Sequence, residues 1–500
     1  MFSRTALAAR RGALCLTLPL VGCMTVGPNY HAPQLSGTDV PARWTSPAAH
    51  RDHAQPMPSA WWAELSDPAL DQLVDTAFQY SPTLEAAMAR LNESRAYHTQ
   101  ANAAAGPSTG ASAGGQRADA SKTSGPTNSG WFSLDSSWEL DLFGAVARGK
   151  EGAAAREEAQ LATLADARVS LAADVADAYL SHRACQSDLA LSEQDVESRE
   201  ATSKLTAESV AAGFTAPYQA IRTTASVAEA RTRVASARAQ CQQLENLITR
   251  LTGMARPELA RLLAVSPTGL DRLPEPRRFD IAIPAQAVMQ RPDVRAAERN
   301  LAATSADIGL AEADRYPRVS LNGALGYSVT GNSGGGGLSL GTWSFGPSLS
   351  LPIFDGGRRS AAVKAAQARY DEALAGYKEK ARSAIQDVEN ALTRYAAAHE
   401  RAENARLAAS QYQQFFTTVE HRYREGASNL LELEDARRAM LSAQQTLLGV
   451  QKERLQAWIT LNRATGGGAQ YAPATVRTQP APAAPPQGRG RGGGGGGGRG

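Results

Sequence analysis

The chain is poor in aromatic residues, lacks acidic residues at both ends and has no run of 18 apolar residues beyond residue 22. Aromatic residues make up 6% of its 500 residues, and alanine supplies much of the 43% hydrophobic fraction, which favours close-packed helices over a thick sandwich core. Residues 1–22 and 466–500 carry three and four arginines and no acid, so 45 basic and 49 acidic residues remain between them. This balance argues against a basic face for nucleic acid, and the missing apolar run excludes an ordinary helical membrane span.

Motifs for catalysis and metal binding are missing as well. The seven histidines form no H-E-x-x-H, and no serine or cysteine arrangement suggests a nucleophile. His50 and His53 lie in a Pro-rich segment without further ligands. Such an isolated pair is usually solvated and does not bind a metal. Residues 144–150 spell G-x-x-x-x-G-K, but Glu151 follows where a phosphate loop needs a hydroxyl for magnesium. We therefore expect a non-enzymatic protein without cofactor or metal.

The N-terminus has the pattern of an export signal. Three arginines precede an apolar run, residues 12–21, that ends in Leu20-Val21-Gly22-Cys23. These last four residues resemble the bacterial lipobox, in which the cysteine is acylated and becomes residue one. In lipoproteins of that kind Met24, which is not Asp, favours delivery to the outer membrane. A plain signal peptide with an incidental Cys23 is the alternative.

Two of the four cysteines remain for a disulfide. Cys15 is removed with the signal and Cys23 is used for lipid, whereas Cys185 and Cys241 reach a compartment that permits disulfides. Each lies 28 residues from Gly213, where two long helical patterns meet. An antiparallel hairpin turning there would place the two cysteines side by side. We predict a bridge, with two buried free thiols as the alternative.

The sequence repeats itself at offsets of 210 to 213 residues. The matched anchors, in order, are Ser81-Pro82 with Arg291-Pro292, Pro107 with Pro317, Leu142-Phe143 with Ile353-Phe354, and Gly213 with Gly426. Each half has the pattern of a helix, an extended hairpin, a very long helix, a turn and a helix. Four anchors in one order at nearly one offset indicate a tandem duplication.

Period-two alternation predicts the strands. Apolar and polar residues alternate over 132–142, 319–329 and 343–353, with a Gly-rich loop at 331–337, while a strand near 108–116 is weak. The pattern alone fits a transmembrane barrel and a half-buried soluble sheet equally well, and the export signal favours the barrel. Because a membrane sheet cannot leave open edges and closed barrels start at about eight strands, four strands per chain require several chains to share one barrel.

The remaining sequence predicts very long helices. Proline is absent from 145–212 and from 356–466, and apolar residues such as Leu161, Leu164 and Leu171 recur at helical spacing. A helix of roughly 65 residues reaches about 100 Å and requires coiled-coil packing. We predict an α+β fold in which a short barrel stands on a long helical tube.

Several motifs resemble the TolC-type outer-membrane factor family, in its lipoprotein branch that serves RND-type tripartite efflux pumps. They cover about residues 20–465 in the family's order. The motifs are the lipobox followed by Val26-Gly27-Pro28-Asn29-Tyr30 and Pro33; Trp61-Trp62 with Leu65, Asp67, Pro68 and Leu70; Trp138-Glu139-Leu140-Asp141-Leu142-Phe143-Gly144; Arg291-Pro292-Asp293-Val294; Tyr316-Pro317; and residues 423–436.

The resemblance implies a homotrimer in the outer membrane, with one shared twelve-stranded transmembrane barrel and a helical tunnel in the periplasm. It implies a passive exit duct for drugs or other small toxic compounds. An inner-membrane RND-type transporter would supply the energy, and a periplasmic adaptor protein would join the two and open the duct. The exit duct of a type I protein-secretion system is an alternative, and a lipid-anchored periplasmic coiled-coil scaffold is another, which the repeated strand pairs disfavour.

The resemblance also indicates a gate in the second repeat, whose inner helices close the tunnel in this family. Aligned on Gly426, Glu432 and Asp435 fall where the family often carries an acidic ring, and Tyr423 falls where it often has a latch tyrosine. Three copies of each carboxylate around a narrow axis would repel one another and attract cations. Solvated charges on an amphipathic helix are the alternative.

Two turns are the expected adaptor contacts. They contain Gly213, Phe214 and Thr215 in the first repeat and Gly426, Ala427 and Ser428 in the second; at Ser428 the family sometimes has an arginine that completes the latch. The whole chain is then divided into a signal peptide (1–22), a lipid-anchored Pro-rich linker (23–58), two efflux-channel repeats (59–265 and 266–465) and a disordered Gly/Pro/Arg tail (466–500).

Overall fold

The computed structural model contains two successive copies of one chain path. It describes residues 25–34, 44, 60–119, 126–264, 273–274, 276, 291–332, 337–467 and 469. After a 3-10 helix (Trp61–Leu65) and helix α1 (Pro68–Tyr80), the first copy comprises α2 (Pro82–Ala103), β1 (Ser108–Ala118), β2 (Thr127–Leu140), α3 (Ala145–Ala211) and α4 (Pro217–Thr252). The second copy follows α5 (Arg256–Ala264) and comprises α6 (Pro292–Ala313), β3 (Arg318–Asn332), β4 (Gly337–Ser350), α7 (Arg358–Arg424) and α8 (Leu430–Ala464).

Corresponding helices of the two copies have nearly equal lengths. Helices α2 and α6 each have 22 residues, α3 and α7 each have 67, and α4 and α8 have 36 and 35. At ~1.5 Å per residue, α3 and α7 are about 100 Å long. The predicted α+β fold, with its tandem repeat and very long helices, is confirmed.

An aspartate in the connection from the preceding strand caps the start of each long helix. The carboxylate of Asp141 accepts hydrogen bonds from the backbone N–H groups of Val146 (3.0 Å) and Ala147 (2.7 Å) at the start of α3. In the second copy, Asp355 accepts from the N–H groups of Gly357 and Arg359. A phosphate would need these same helix N-terminal amides. The G-x-x-x-x-G-K pattern is thus a strand-to-helix return capped by a carboxylate.

The two helical hairpins turn at matched glycines. Gly213 and Gly426 have φ values of 78° and 76°, a left-handed conformation that a side chain disfavours. The next residue then donates its N–H back five positions, from Phe214 to the carbonyl of Ser209 and from Ala427 to that of Arg422. This is the Schellman pattern of helix C-termini. The same backbone hydrogen-bond pattern therefore ends both α3 and α7.

One antiparallel sheet contains all four described strands, in the order β1-β2-β3-β4. The strand from the first copy, β2, pairs with β3 from the second, so the sheet joins the repeats. Several strand boundaries differ from the sequence prediction. Strand β2 ends at Leu140 because the chain turns there, with the Leu142 N–H donating to the Leu140 carbonyl. Strands β3 and β4 extend into the Gly-rich stretch, to Asn332 and from Gly337.

The largest apolar core lies around the middle of α3. It contains Trp61 of the 3-10 helix, Leu70 of α1, Val175 and Tyr179 of α3, and Trp458 of α8. The indole rings of Trp61 and Trp458 meet edge to face with their centroids 5.3 Å apart. This core fixes the C-terminal part of α8 to the first repeat.

Residues 25–30 are held on the helices next to the sheet. The Arg148 guanidinium of α3 donates to the carbonyls of Val26 and Gly27, each at 3.1 Å. The Tyr30 hydroxyl donates to a carboxylate oxygen of Glu298 on α6 at 2.5 Å. Burial and this carboxylate raise the pKa of Tyr30 well above its usual value. The segment expected from its composition to be part of a linker thus bridges the two repeats at these residues.

Candidate functional site

The ends of α3, α4, α7 and α8 that point away from the sheet lie together. Tyr423, near the end of α7, has its hydroxyl 3.1 Å from the Thr206 hydroxyl of α3. Its ring packs against an apolar cluster of α7 and α8 that includes Val419 and Leu430. The tyrosine assigned to the gate therefore connects the two helical hairpins through a single hydroxyl pair.

Glu432 lies in the first turn of α8 and is bonded within its own hairpin. Its carboxylate accepts a hydrogen bond from the Ser428 hydroxyl at 2.6 Å and lies 3.5 Å from the Arg422 guanidinium. Its backbone N–H donates to the Asn429 side chain, which caps the helix. Ser428, at the position where the TolC-type family sometimes has an arginine, thus orients the carboxylate as a neutral donor.

Asp435 projects from α8 into solvent in the single chain. Its side chain is 58% exposed, and its one described partner is Arg438, 3.7 Å away. Glu432 and Asp435 are three residues apart, so they occupy one side of the helix. Both carboxylates are consequently accessible to ions and to other chains.

The two hairpin tips differ in chemistry. In the first, the Phe214 side chain is 87% exposed, with Tyr218 and Ile221 exposed on the following turns of α4. Thr215 is bonded to the Ser209 hydroxyl at 2.5 Å, which orders the turn behind Phe214. In the second tip, a charged guanidinium, Arg422, donates to the Ala427 carbonyl at 3.1 Å. One tip therefore presents an apolar surface and the other a charged one.

Cys185 and Cys241 meet across the α3–α4 hairpin. Their Sγ atoms are bonded, with the Cα atoms 5.6 Å apart. The two cysteines lie side by side because the hairpin turns at Gly213, which is midway between them in the sequence.

Sequence reasoning missed a group of charged side chains buried between the repeats. Asp195 and Arg199 of α3 and Glu434 and Arg437 of α8 are all buried, and Arg437 is 0% exposed. Each pair shows the i, i+3 or i, i+4 spacing of ordinary surface ion pairs, so nothing local distinguished them. Burial raises the cost of a charged Arg437 and lowers its pKa.

One face of the sheet is apolar and open. Leu134, Leu325 and Trp343 stand side by side on three adjacent strands, and the Trp343 side chain is 78% exposed. Open apolar surface of this kind indicates contact with a membrane or another protein.

The other face is polar and hydrogen-bonded across the strands near the helices, and it carries Trp131, Leu338 and Leu340 further along the strands. The Ser137 hydroxyl donates to Asn322 at 2.8 Å, and Asn322 donates to Ser348 at 2.9 Å. Such a ladder suits a water-filled interior.

Some expectations fall outside the described part of the chain. Cys23 with the signal peptide, His50 and His53, and most of the tail after residue 467 lie there. None of the described helices combines the length and apolar character that a membrane crossing requires. Within the described ranges, no group of His, Cys, Asp and Glu is placed to hold a metal ion.

Comparison with known proteins gives the same architecture. The family model described as outer membrane efflux protein matches residues 73–254 and 283–467. The chain is 32% identical to outer membrane protein OprJ of Pseudomonas aeruginosa, across 91% of this chain and 95% of that protein. It is 30% identical to nodulation protein T of Rhizobium leguminosarum bv. trifolii, across 90% and 96%.

Two solved structures are similar along nearly their whole length. The outer-membrane channel OprN shares 31% identity with a TM-score of 0.78, covering 90% of this chain and 100% of that one. The open-state MtrE outer membrane channel of Neisseria gonorrhoeae shares 26% identity with a TM-score of 0.77, covering 89% and 99%.

The duplicated sheet and helical hairpins thus define a TolC-type outer-membrane channel. The chain belongs to the outer membrane efflux protein family. The resemblance drawn from the motifs is confirmed, as is the role of an efflux channel in the outer membrane with a periplasmic helical domain.

Proposed function

We propose that three copies of this chain form one passive exit channel of a tripartite efflux pump, which releases drugs or other small toxic compounds. Each copy contributes four strands to a twelve-stranded barrel and four long helices to a periplasmic tunnel. An RND-type inner-membrane transporter supplies the energy, and a periplasmic adaptor opens the tunnel. The chain itself catalyses no reaction.

The open edges of the sheet carry the trimer proposal. Within the described residues, β1 pairs only with β2 and β4 only with β3, so each has one row of backbone groups without a strand partner. A sheet in a membrane must close because no water is present to bond its edges. One apolar and one polar face fit the wall of a pore, and pairing β4 of one copy with β1 of the next would close it.

We propose that Cys23 carries the lipid anchor. The proposed division of the chain stays as the sequence predicts it: signal peptide 1–22, linker 23–58, repeats 59–265 and 266–465, and tail 466–500. The Val26 N–H donates to the Phe143 carbonyl at 3.1 Å, at the boundary between β2 and α3. Three residues span at most about 11 Å, so an acylated Cys23 would lie close to this boundary. The lipid would then enter the membrane where the strands begin.

Tyr423, Glu432 and Asp435 are proposed as the gate, and the two tips as the adaptor contacts. Their position at one end of the tunnel helices supports this assignment. Around a three-fold axis, the accessible carboxylates would form a cation-attracting ring.

Cys185 and Cys241 are proposed to be bridged in the exported protein. We expect no labelled thiol on this pair when the unreduced, denatured protein is treated with a maleimide, and two after reduction. Mass spectrometry of the 185- and 241-containing peptides provides the count, and a Cys185→Ser variant, with one reactive thiol throughout, calibrates it. Two labelled thiols without reduction would contradict the bridge.

Phe214→Asp is expected to uncouple the channel from its adaptor. An exposed aromatic at the centre of a contact commonly contributes about 2 kcal/mol, so the affinity should fall by roughly 30-fold for each tip. The measurement is the amount of adaptor recovered with the channel after cross-linking in cells. Leu407→Asp, on an exposed apolar residue of α7 away from the tips, is the control. Equal losses for both variants, or none for Phe214→Asp, would refute the assignment.

The pump function is tested by deleting the gene and measuring ethidium accumulation in the cells. Accumulation should rise severalfold and return to normal when the gene is restored. If accumulation of ethidium and other toxic compounds is unchanged while an exported protein is retained inside the cell, the chain is a secretion duct instead.

A further inference from the structure

A cleft lies at the connection between β2 and α3, beside the end of α2. Its volume is about 330 Å³, within the range of ligand sites. Leu140, the last residue of β2, stands on the same face of the sheet as Leu134, so the cleft continues the open apolar face. The residues that line it include Ala105, Trp138, Leu140, Leu142, Val146 and Lys150.

Trp138 forms a fixed wall of this cleft. Its indole N–H donates to the Ala105 carbonyl at 2.9 Å, which ties the end of α2 to β2. The ring is still 39% exposed, so it can contact a ligand. A tryptophan with a bonded N–H and an open apolar ring suits the boundary between hydrocarbon and water. Because the periplasmic helices begin here, we place the cleft at the periplasmic surface of the membrane.

Lys150 supplies the charge of the cleft. It is the lysine of the G-x-x-x-x-G-K pattern, is half-buried, and forms no ion pair with any carboxylate of the described residues. The carboxylate next to it in the sequence, Glu151, is bonded to Arg148 at 2.7 Å. The ammonium group is therefore available to a ligand.

Two further carboxylates belong to residues of the cleft, and both are bonded elsewhere. Asp141 accepts from the backbone amides that open α3, where the helix dipole favours its negative charge. Glu139 stands on the opposite face of the sheet from Trp138, and its carboxylate lies 3.8 Å from the Arg318 guanidinium. Lys150 thus remains the uncompensated charge of the cleft.

An apolar wall beside an ammonium group at a membrane surface complements a phospholipid. The phosphate would pair with Lys150, and an acyl chain would lie along Trp138, Leu140 and Leu142. Inorganic phosphate would use the charge alone and leave the apolar wall open. The lipid on an acylated Cys23 carries no phosphate, so it leaves Lys150 without a partner.

The second repeat does not reproduce these two groups. Aligned on Leu142-Phe143 and Ile353-Phe354, the counterpart of Trp138 is Leu349, whose side chain has no N–H to donate. Lys150 is the sixth residue of α3, and the sixth residue of α7 is the buried Val363. The arrangement therefore provides one site in each chain.

We propose that the cleft formed by β2, α3 and the end of α2 binds one phospholipid of the periplasmic leaflet. Lys150 holds the phosphate, and Trp138 packs on the acyl chain. The site goes beyond the proposed pump function, since it depends on the position of the chain in the outer membrane and not on the transported compound.

Native mass spectrometry of the detergent-extracted, lipidated protein tests the proposal, with dioleoyl phosphatidylglycerol as the titrated probe. The wild type should bind one lipid per chain. Lys150→Gln should weaken binding roughly fivefold, whereas Lys150→Arg should retain it. Ala147→Phe fills the cleft from an exposed position on α3 and should prevent binding while the charge remains. Lys364→Gln, at an exposed lysine on the seventh residue of α7, is the matched control and should bind as the wild type does.

The same spectra show whether each variant keeps the oligomeric state of the wild type, which separates loss of the site from misfolding. Unchanged binding in Lys150→Gln and Ala147→Phe, or an equal loss in Lys364→Gln, would overturn the proposal. So would displacement of the lipid by excess inorganic phosphate, which would indicate an anion site only. A wild type that binds no lipid would mean that another copy or the lipid on Cys23 fills the cleft. A single chain that still binds one lipid would contradict the shared barrel and leave this site intact.

Discussion

Trp343→Lys is expected to abolish membrane assembly, whereas Ser344→Lys, one residue along the same strand, should assemble normally. Trp343 stands on the open apolar face beside Leu325, and Ser344 is opposite Ala324 on the polar face. A lysine facing lipid near the bilayer centre costs about 2–4 kcal/mol in each chain, and the cost applies to every copy in the barrel. The same lysine facing a water-filled interior remains hydrated.

The measurement is the amount of heat-resistant oligomer in purified outer membranes. The two variants have the same charge and nearly the same position along β4, so they differ only in the face that is changed. Normal assembly of Trp343→Lys would mean that the apolar face does not contact lipid. Failure of both variants would show that the strand tolerates no lysine and would remove the distinction.

Glu432→Ala combined with Asp435→Ala is expected to relieve cation block of the channel. If the acidic ring attracts a divalent cation by about 3 kcal/mol more than an uncharged ring, the half-blocking Mg²⁺ concentration should rise roughly 100-fold. The conductance in the presence of Mg²⁺ should rise as well, since fewer channels are blocked at a given Mg²⁺ concentration. Currents recorded across a Mg²⁺ titration provide both quantities.

Glu403→Ala combined with Glu453→Ala is the matched control. Both carboxylates are exposed and lie away from the tips, and their removal changes the net charge by the same amount. The control should retain wild-type block. Identical block in the gate variant and the wild type would place the constriction elsewhere on the tunnel.

The large-scale architecture was predictable because its signals are local or repeated. Absence of proline over 145–212 and 356–466 predicts long helices, and alternation over 132–142 predicts a strand, without knowledge of the partners. The offset between Gly213 and Gly426 then identifies corresponding turns. The pairing of α3 with α4 was predictable as well, because two cysteines equally far from one turn meet if the two helices are antiparallel.

The contacts between repeats were not predictable in this way. Arg199 and Glu434 are 235 residues apart, and their meeting depends on the register of α3 against α8, which many small apolar contacts set together. Residues 25–30 were expected to be part of the Pro-rich linker 23–58. Their attachment depends on Arg148, whose burial no local pattern indicates.

Differences between the two repeats have a functional consequence. The first hairpin ends in exposed apolar residues around Phe214, whereas the second ends in the charged environment of Arg422 and Glu432. An apolar tip suits a lasting contact with another protein, and a charged tip suits a contact that water and ions can loosen.

The mass of the native, detergent-extracted and lipidated protein tests the central claim most directly. A barrel shared between copies predicts a particle of three chains that withstands dilution in detergent. A single chain, particularly one released into buffer after removal of its lipid, would contradict the shared barrel and leave a lipid-anchored periplasmic scaffold as the better account.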